Sequence, residues 1–138
     1  MPDSAGTGTA MFTGVKTNYG VVGVDARVAK GKCEVVQVRQ AALESIMSWA
    51  QKAGRLTGIV TTTRVTHATP ASTYGRSPHR EWECDSKIPP EASDCVKDLA
   101  RQLIEDEPGR NFRVRFKINC IAHNLRINIL LYQIHPKN

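Results

Sequence analysis

The sequence predicts an α/β fold in a single domain, with a mainly parallel sheet and helices packed on it. Two segments repeat apolar residues at the three- and four-residue spacing of a helix, and short segments rich in β-branched residues alternate with them. A strand, a helix and a strand in that order over residues 20–62 are typical of a parallel sheet. The chain has 138 residues, of which 41% are hydrophobic and 23% charged, so one globular domain is expected.

A helix rich in small residues is predicted near the start of the chain, over residues 4–15. Asp3 or Ser4 is its expected N-cap, and its small side chains suit close packing against a neighbouring element. A buried strand is predicted over residues 19–28, followed by a turn at residues 30–32.

A second helix is predicted over residues 38–54, where apolar side chains recur along one face and a glycine ends the pattern. That apolar set consists of Ala42, Leu43, Ile46, Met47, Trp49 and Ala50. A buried parallel strand is predicted over residues 56–65. A third helix, with acidic residues in its first turn, is predicted over residues 91–107, and a last strand over residues 112–116. The polar stretch over residues 66–90 is long for a connection in a compact domain and is expected to be functional.

Positive charge is concentrated at one end of the chain. The formal net charge is +6, and the whole surplus lies in residues 110–138, which contain no acidic residue. A small basic nucleic-acid-binding protein is one hypothesis for such a charge. However, residues 1–109 are neutral and only 6% of the chain is aromatic, so we expect no nucleic-acid partner.

Membrane and export signals are not evident in the sequence. No apolar run approaches the roughly 18 residues that a spanning helix needs, and the first residues lack the order of charged, apolar and small residues typical of a signal peptide. An Asp-Ser pair stands at positions 3 and 4 with no strand before it, as in the interior of a longer protein. We therefore expect a soluble chain that is part of a larger protein.

Four polar residues are candidates for chemistry. Ser4 stands at a helix start, where main-chain amides favour an anionic ligand. His67 and Thr69 follow a predicted parallel strand, at the sheet edge where ligand sites are common, and Arg80 has the forked donors suited to phosphate. Each has an ordinary alternative: Ser4 as a helix cap, His67 as a hydrogen-bonded loop residue, and Arg80 as a surface side chain stacked on Trp82.

The four cysteines are Cys33, Cys84, Cys95 and Cys120, and they form no C-x-x-C pair. This spacing argues against a zinc ribbon or a thioredoxin-type redox motif. The cysteines can be reduced and buried, or bridged in an oxidising compartment. Both alternatives are open on spacing alone.

A long, ordered set of strings is more specific than any of these single motifs. It runs from PDSAGTGTAMFTGVKTNYGVVGV through GIVTTTRVTHATPASTYGRSPHREWECD to PPEASDCVKDLARQLIEDEPGRNFRV. These strings resemble animal alkaline phosphatases, and the form WECD suggests an invertebrate member. The resemblance covers residues 1 to about 114. It implies part of the family's catalytic domain, a three-layer sandwich with a mainly parallel sheet and helices on both faces.

The resemblance assigns a role to each of the four candidates. Ser4 falls on the nucleophile of the family's D-S-A-G-T motif, the residue that becomes phosphoserine and contacts zinc. Arg80 falls on the arginine that binds the phosphate group. Thr69 falls on a direct oxygen ligand of magnesium, and His67 on a residue that contacts the same ion through water.

The resemblance also implies cofactors and partners. Family members hold two zinc ions about 4 Å apart, an arrangement that activates a nucleophile and stabilises a leaving oxygen, and one magnesium ion. They hydrolyse phosphate monoesters through a phosphoserine intermediate, form homodimers, and are held at the extracellular face of the plasma membrane by a lipid anchor. Cys33 and Cys95 match a family disulfide, which would add about 4 kcal/mol on a loop-entropy argument. Cys84 is an alternative partner for Cys95.

The sequence departs from the family at both ends. The family's G-D-G-M-G segment, whose aspartate bridges zinc and magnesium, would precede Met1, and the remaining metal ligands would follow the matched region. After about residue 114 the chain turns to FKINC and becomes rich in Ile, Asn and Lys. Residues 115–138 are therefore expected to be a non-homologous tail, read through from non-coding sequence.

The favoured function is that of an alkaline phosphatase fragment, residues 1–114, of the phosphoric monoester hydrolase class. Alone, it is expected to show no zinc-dependent hydrolysis because most metal ligands are missing. The alternatives are a non-catalytic fragment that associates with intact subunits and the basic nucleic-acid-binding protein.

Overall fold

The computed structural model describes residues 3–115, so the predicted tail lies, apart from Arg115, outside the described residues. The helices are α1 (Ser4–Thr13), α2 (Val35–Gln40), α3 (Ile46–Lys52), α4 (Ala68–Ala71) and α5 (Leu99–Glu105). Short 3₁₀ turns occupy Asp85–Lys87, Pro90–Ala92 and Gly109–Asn111. The strands are β1 (Gly58–Ile59) and β2 (Val114–Arg115). Within residues 3–115, no helix has the length and apolar character needed to cross a membrane.

Strands β1 and β2 pair in parallel. The paired residues are Gly58 with Val114 and Ile59 with Arg115. The strands predicted over residues 56–65 and 112–116 are confirmed in position, and the first also in its parallel direction, but both are much shorter. After β1, the Thr61 hydroxyl accepts a hydrogen bond from the Thr63 main-chain N–H at 3.2 Å. This local turn competes with further pairing along the strand.

The strand predicted over residues 19–28 is wrong. Two isolated antiparallel bridges form there instead, Val22 with Ser77 and Val24 with Ala42. Gly23 has a left-handed backbone with φ at +61°, which interrupts an extended strand. A Cβ atom at Gly23 would lie 1.9 Å from the Gly75 carbonyl oxygen, so this close approach of two main chains needs glycine.

The second predicted helix, over residues 38–54, is interrupted and forms the two short helices α2 and α3. Ser45 separates them by capping α3, because its hydroxyl accepts from the Ser48 N–H at 3.4 Å and donates to the Thr73 carbonyl at 2.5 Å. A side chain that binds main-chain groups in this way competes with a continuous helix. The apolar residues therefore keep their helical spacing through residues 41–45, where the helix itself is interrupted.

The third predicted helix, over residues 91–107, is confirmed only in its second half, as α5. Asp98 caps α5 by accepting a hydrogen bond from the Arg101 N–H at 2.8 Å. The acidic residues expected in the first turn therefore lie before the helix. Part of the segment that contains them forms the 3₁₀ turn Pro90–Ala92.

Two groups of buried side chains form the core. The larger group, the site-side cluster, joins α1, α4, α5 and β1. It consists of Ala5, Val22, Ile59, Val65, Ala68, Ala71, Tyr74, Leu99, Leu103 and Phe112. The smaller group, the disulfide-side cluster, consists of Val21, Val24, Val28, Val38 and Ala41, with Cys33 and Cys95 packed against it. Burial of this apolar surface is the main term that stabilises the fold.

Helices α1 and α4 pack closely because a glycine of α1 faces the serine that caps the C-terminus of α4. A Cβ atom at Gly8 would lie 2.9 Å from Ser72 Oγ, so a larger side chain would push the helices apart. The Ser72 hydroxyl is satisfied inside the contact by donating to the Ala68 carbonyl at 2.8 Å. The close packing predicted for α1 is confirmed. It holds α1, which carries Ser4, against α4, which His67 precedes.

Candidate functional site

The N-terminus of α1 is organised by Asp3. Its Oδ1 atom accepts hydrogen bonds from the Gly6 N–H at 3.0 Å and from the Gly20 N–H at 3.1 Å. Asp3 is therefore the N-cap, and Ser4 is the first residue of the helix rather than its cap. This arrangement leaves the Ser4 hydroxyl available for other partners.

Arg80 reaches the same helix end from a distant part of the chain. Its Nη1 atom lies 2.9 Å from Ser4 Oγ and 3.1 Å from Asp3 Oδ2, and its Nη2 atom lies 3.2 Å from His67 Nε2. The Arg80 main-chain N–H donates to the Gly20 carbonyl at 2.8 Å, which fixes the segment that presents the side chain. The side chain is 17% exposed, so the guanidinium is accessible at one edge.

His67 is the N-cap residue of α4, and its side chain makes no capping hydrogen bond. The ring faces Arg80 instead, and because a guanidinium only donates, His67 Nε2 is the acceptor. The tautomer that fits this contact has its proton on Nδ1. Thr69 lies in α4 and is exposed, and within residues 3–115 no hydrogen bond joins it to Ser4, His67 or Arg80. The structure thus joins three of the four candidates by direct contacts, and Thr69 takes no part in those contacts.

The alternative interpretation of Arg80, a surface side chain stacked on Trp82, is wrong. The ring that stacks on Trp82 belongs to His79, with centroids 5.8 Å apart and planes 21° from parallel. Arg80 contacts Glu81 through Nε at 3.4 Å and otherwise points toward Ser4.

The Asp3 carboxylate supplies a fixed negative charge beside Ser4. Burial raises the pKa of this carboxyl, but hydrogen bonds from the Gly6 and Gly20 amides and from Arg80 outweigh burial and hold the pKa below its ordinary value. Asp3 is therefore ionised at neutral pH. It orients Arg80 while the helix amides around Ser4 point toward the same region.

The described residues do not fit a complete metal site. Within residues 3–115, no group of three or more His, Cys, Asp or Glu side chains lies close enough to hold a metal ion. Structural and catalytic zinc sites use at least three such ligands, and magnesium prefers six oxygen ligands. Ser4, His67 and Thr69 supply individual donors, so a zinc or magnesium site would need further ligands beyond the described residues.

No sequence pattern indicates the buried carboxylate of Glu83, whose side chain is 3% exposed. Arg64 forks onto it, with Nε 2.8 Å from Oε2 and Nη2 2.7 Å from Oε1. The Thr66 hydroxyl donates to Oε2 at 2.6 Å. In sequence, Glu83 is one acid in a polar stretch, and no local spacing connects it to Arg64 or Thr66.

Cys33 and Cys95 form the disulfide that the family resemblance implied, with Cα atoms 5.9 Å apart. The bond links the segment before α2 to the segment before α5, at the edge of the disulfide-side cluster. Cys84 is therefore not the partner of Cys95. Its sulfur lies 3.5 Å from the Ser86 hydroxyl oxygen.

Residues 1–114 match the sequence model described as alkaline phosphatase. The chain belongs to the alkaline phosphatase family. The match ends where the composition of the sequence changes, and it contains every site residue discussed above.

Two relatives confirm the resemblance and its invertebrate character. Alkaline phosphatase 4 of Drosophila melanogaster is 51% identical over 114 residues, which are 83% of this chain and 18% of the relative. The membrane-bound alkaline phosphatase of Bombyx mori is 44% identical over 118 residues, which are 84% of this chain and 22% of the relative. The chain thus spans about a fifth of the length of the curated relatives it matches.

A solved alkaline phosphatase has a similar fold. The crystal structure of the cold-active alkaline phosphatase from the psychrophile Shewanella sp. matches with a TM-score of 0.50 and 27% sequence identity. The match covers 75% of this chain and 26% of that chain. The matched part of the chain therefore corresponds to a portion of the alkaline phosphatase fold.

Proposed function

We propose that this chain supplies the nucleophile and the phosphate-binding arginine of a phosphate monoester hydrolase. The observation that carries the proposal is the 2.9 Å contact between Arg80 Nη1 and Ser4 Oγ at the N-terminus of α1. A phosphate group bound to Arg80 would have its phosphorus within reach of the Ser4 hydroxyl. Family membership independently supports the same two roles.

The surroundings of Ser4 favour a dianionic ligand. The main-chain amides at the start of α1 and the helix dipole attract negative charge. The Arg80 guanidinium offers parallel donors to two phosphate oxygens, the geometry in which arginine binds phosphate most strongly. Both features act on the phosphoryl group itself, so they stabilise the substrate and the covalent intermediate alike.

The reaction proceeds in two displacements. In the first, the Ser4 oxygen forms a bond to phosphorus, the bond from phosphorus to the alcohol oxygen breaks, and the hydroxyl proton is transferred to the leaving alcohol. In the second, water attacks phosphoserine, releases inorganic phosphate and returns the proton to Ser4. Arg80 holds the phosphoryl oxygens throughout.

Metal ions belong to this proposal as well. Zinc would lower the pKa of a bound nucleophile, with Ser4 as one ligand, and magnesium would take Thr69 directly and His67 through water. Within residues 3–115 no three such ligands cluster, so these residues would supply only part of each ion's coordination.

The remaining inferences concern the whole protein. A three-layer sandwich with helices on both faces, a homodimer and a lipid anchor at the outer face of the plasma membrane are proposed on family membership. The Bombyx mori relative, which is membrane-bound, supports the membrane location. The end of the family match at residue 114 supports a boundary between residues 1–114 and a distinct segment over residues 115–138.

A chimera tests the proposal. Residues 1–114 of this chain replace the aligned segment of Drosophila melanogaster alkaline phosphatase 4, and hydrolysis of an aryl phosphate is measured with zinc and magnesium present. We expect turnover and a phosphoserine at Ser4 that mass spectrometry detects after acid quenching. Ser4→Ala should abolish both, with a loss of at least about a thousandfold in kcat.

Ser86→Ala is the matched control, since Ser86 lies outside the site and should leave turnover unchanged. Undiminished turnover in the Ser4→Ala chimera would contradict the proposal. The 138-residue chain alone is expected to show no zinc-dependent hydrolysis, and turnover that disappears in its Ser4→Ala variant would overturn that expectation.

A further inference from the structure

We propose that Glu83 is a positioning residue that holds His67 and Arg80 in register, through Arg64 and Thr66. This inference rests on the proposed phosphate site, and it adds residues whose roles the family assignment did not provide. Glu83 makes no hydrogen bond to Ser4 or Arg80 within the described residues, so it acts on the site only through its neighbours.

The Glu83 carboxylate joins the two segments that carry the site. Glu83 follows Arg80 by three residues, while its partners Arg64 and Thr66 immediately precede His67. Three hydrogen bonds of 2.6 to 2.8 Å connect the segments, two from the Arg64 guanidinium and one from the Thr66 hydroxyl. These hydrogen bonds, called the tie below, therefore connect the segment that carries His67 to the segment that carries Arg80.

Main-chain hydrogen bonds transmit the position of the tie to the site. The His67 N–H donates to the Arg64 carbonyl at 3.0 Å, so the turn that ends at His67 moves with Arg64. On the other side, the Ala100 N–H donates to the Glu83 carbonyl at 3.1 Å, which anchors Glu83 to α5. The buried helix α5 thus sets where the turn before His67 can lie.

The Glu83 carboxylate is buried, and both of its oxygens are bound by neighbouring side chains. Its side chain is 3% exposed, and its partners are the Arg64 fork, the Thr66 hydroxyl and, at 3.8 Å, the Lys87 ammonium. Burial raises the pKa of Glu83, but hydrogen bonds from Arg64 and Thr66 outweigh burial and lower the pKa overall. An ionised, fully bonded carboxylate holds its partners in one geometry.

Loss of the hydrogen bonds to Glu83 should weaken phosphate binding even in variants that still fold. The contact between His67 Nε2 and Arg80 Nη2 is 3.2 Å long, so a displacement of about 1 Å breaks it. Arg80 would then lose the partner that orients one of its two terminal nitrogens. Misplacement of a binding group by about 1 Å can cost between tenfold and a hundredfold in function.

The test compares variants of the 138-residue chain by NMR. The ¹⁵N shifts of the His67 ring report which nitrogen carries the proton, and titration with inorganic phosphate gives a dissociation constant from the Ser4 amide. We expect Glu83→Gln to weaken phosphate binding about tenfold and Thr66→Val about threefold. Both should reduce the population of the ring form with its proton on Nδ1.

Two conservative variants serve as controls. Thr66→Ser retains the hydroxyl and should match the parent chain in both measurements. Glu91→Gln removes an exposed carboxylate that has no role in the site and should also match it. The proposal is overturned if Glu83→Gln and Thr66→Val keep the parental ring tautomer and phosphate affinity.

The two measurements separate this proposal from the proposed function. If the parent chain binds no phosphate, the phosphate site fails, and the ring tautomer alone decides whether Glu83 positions His67. If circular dichroism shows that Glu83→Gln does not fold, the Thr66→Val and Thr66→Ser pair decides.

Discussion

Two arginine–carboxylate pairs lie close together in this molecule and are built differently. Arg64 directs two nitrogens onto both oxygens of Glu83, a forked pair. Arg80 shares one nitrogen between Asp3 and Ser4 and directs the other to a histidine. The Glu83 and Asp3 side chains are both deeply buried, at 3% and 8% exposed.

The difference distinguishes a structural tie from a ligand site. A forked pair satisfies its carboxylate completely and orders the two segments that it joins. An arginine whose donors are divided among single contacts can exchange them for a bidentate contact with an oxyanion. Burial of an ion pair therefore does not reveal its role, whereas the distribution of donors does.

The largest expected effect is on stability and separates the two carboxylates. Glu83→Ala should lower the free energy of unfolding by about 2 to 3 kcal/mol, since the buried Thr66 hydroxyl loses its acceptor while Arg64, 41% exposed, recovers part of its hydration. Asp3→Ala should cost about 1 to 2 kcal/mol, since its main loss is a helix cap and Arg80 keeps other partners. Urea denaturation followed by circular dichroism measures both. A larger loss of unfolding free energy for Asp3→Ala than for Glu83→Ala would contradict the structural role assigned to Glu83.

The next effect is on ligand affinity and separates the two arginines. Arg80→Lys should raise the dissociation constant for inorganic phosphate about tenfold, because lysine has no fork to place on two oxygens. Arg64→Lys keeps a charged donor on Glu83 and should change the constant less than about threefold. An NMR titration of both variants suffices. Equal losses would mean that the two arginines contribute alike to phosphate binding.

The smallest expected effect is on the pH dependence of stability. Hydrogen bonding lowers the pKa of Asp3 and Glu83 despite burial, so each contributes stability that is present above its unfolded pKa of about 4 and is lost as pH falls through the lower folded value. Glu83→Gln should therefore flatten acid destabilisation, by at most about 1.4 kcal/mol per pH unit.

Asp98 provides a control of opposite sign for the same measurement. Burial raises the pKa of Asp98, so its contribution is present below the unfolded pKa and is lost as pH rises through the raised folded value. Asp98→Asn keeps a good helix cap and should remove that loss. Unfolding curves measured from about pH 3 to pH 7 distinguish the two variants. Parallel changes in both would contradict the assigned directions.

Sequence patterns predicted the elements in which local chemistry and packing agree. The small residues of α1 and the Asp-Ser pair at its start indicated a capped, closely packed helix, and this helix is present. The β-branched segment over residues 56–65 contains the parallel strand β1, but its partner is β2 and not the strand predicted over residues 19–28. Two predicted helices are longer than the observed ones because Ser45 and Asp98 cap helices inside the predicted ranges. A capping residue does not change the spacing of the apolar residues on either side of it.

The site depended on contacts that local spacing does not encode. Ser4 and Arg80 are separated by 76 positions, and each has a common structural role, so only their contact favours a shared function. The family resemblance assigns both residues to one phosphate site and so predicts that they lie together. Glu83 had neither a motif nor a resemblance to indicate it, since its partners become visible only once the chain is folded.

The disulfide between Cys33 and Cys95, separated by 62 positions, closes a covalent ring in the chain. His67 and Arg80 lie inside this ring, and Ser4 lies on the short arm outside it. In the oxidised unfolded chain, Ser4 is also connected to Arg80 through Cys33 and Cys95, a path shorter than the 76 positions along the backbone, so bringing the two residues together costs less chain entropy. In a reducing compartment, the same contact would have to form across all 76 positions.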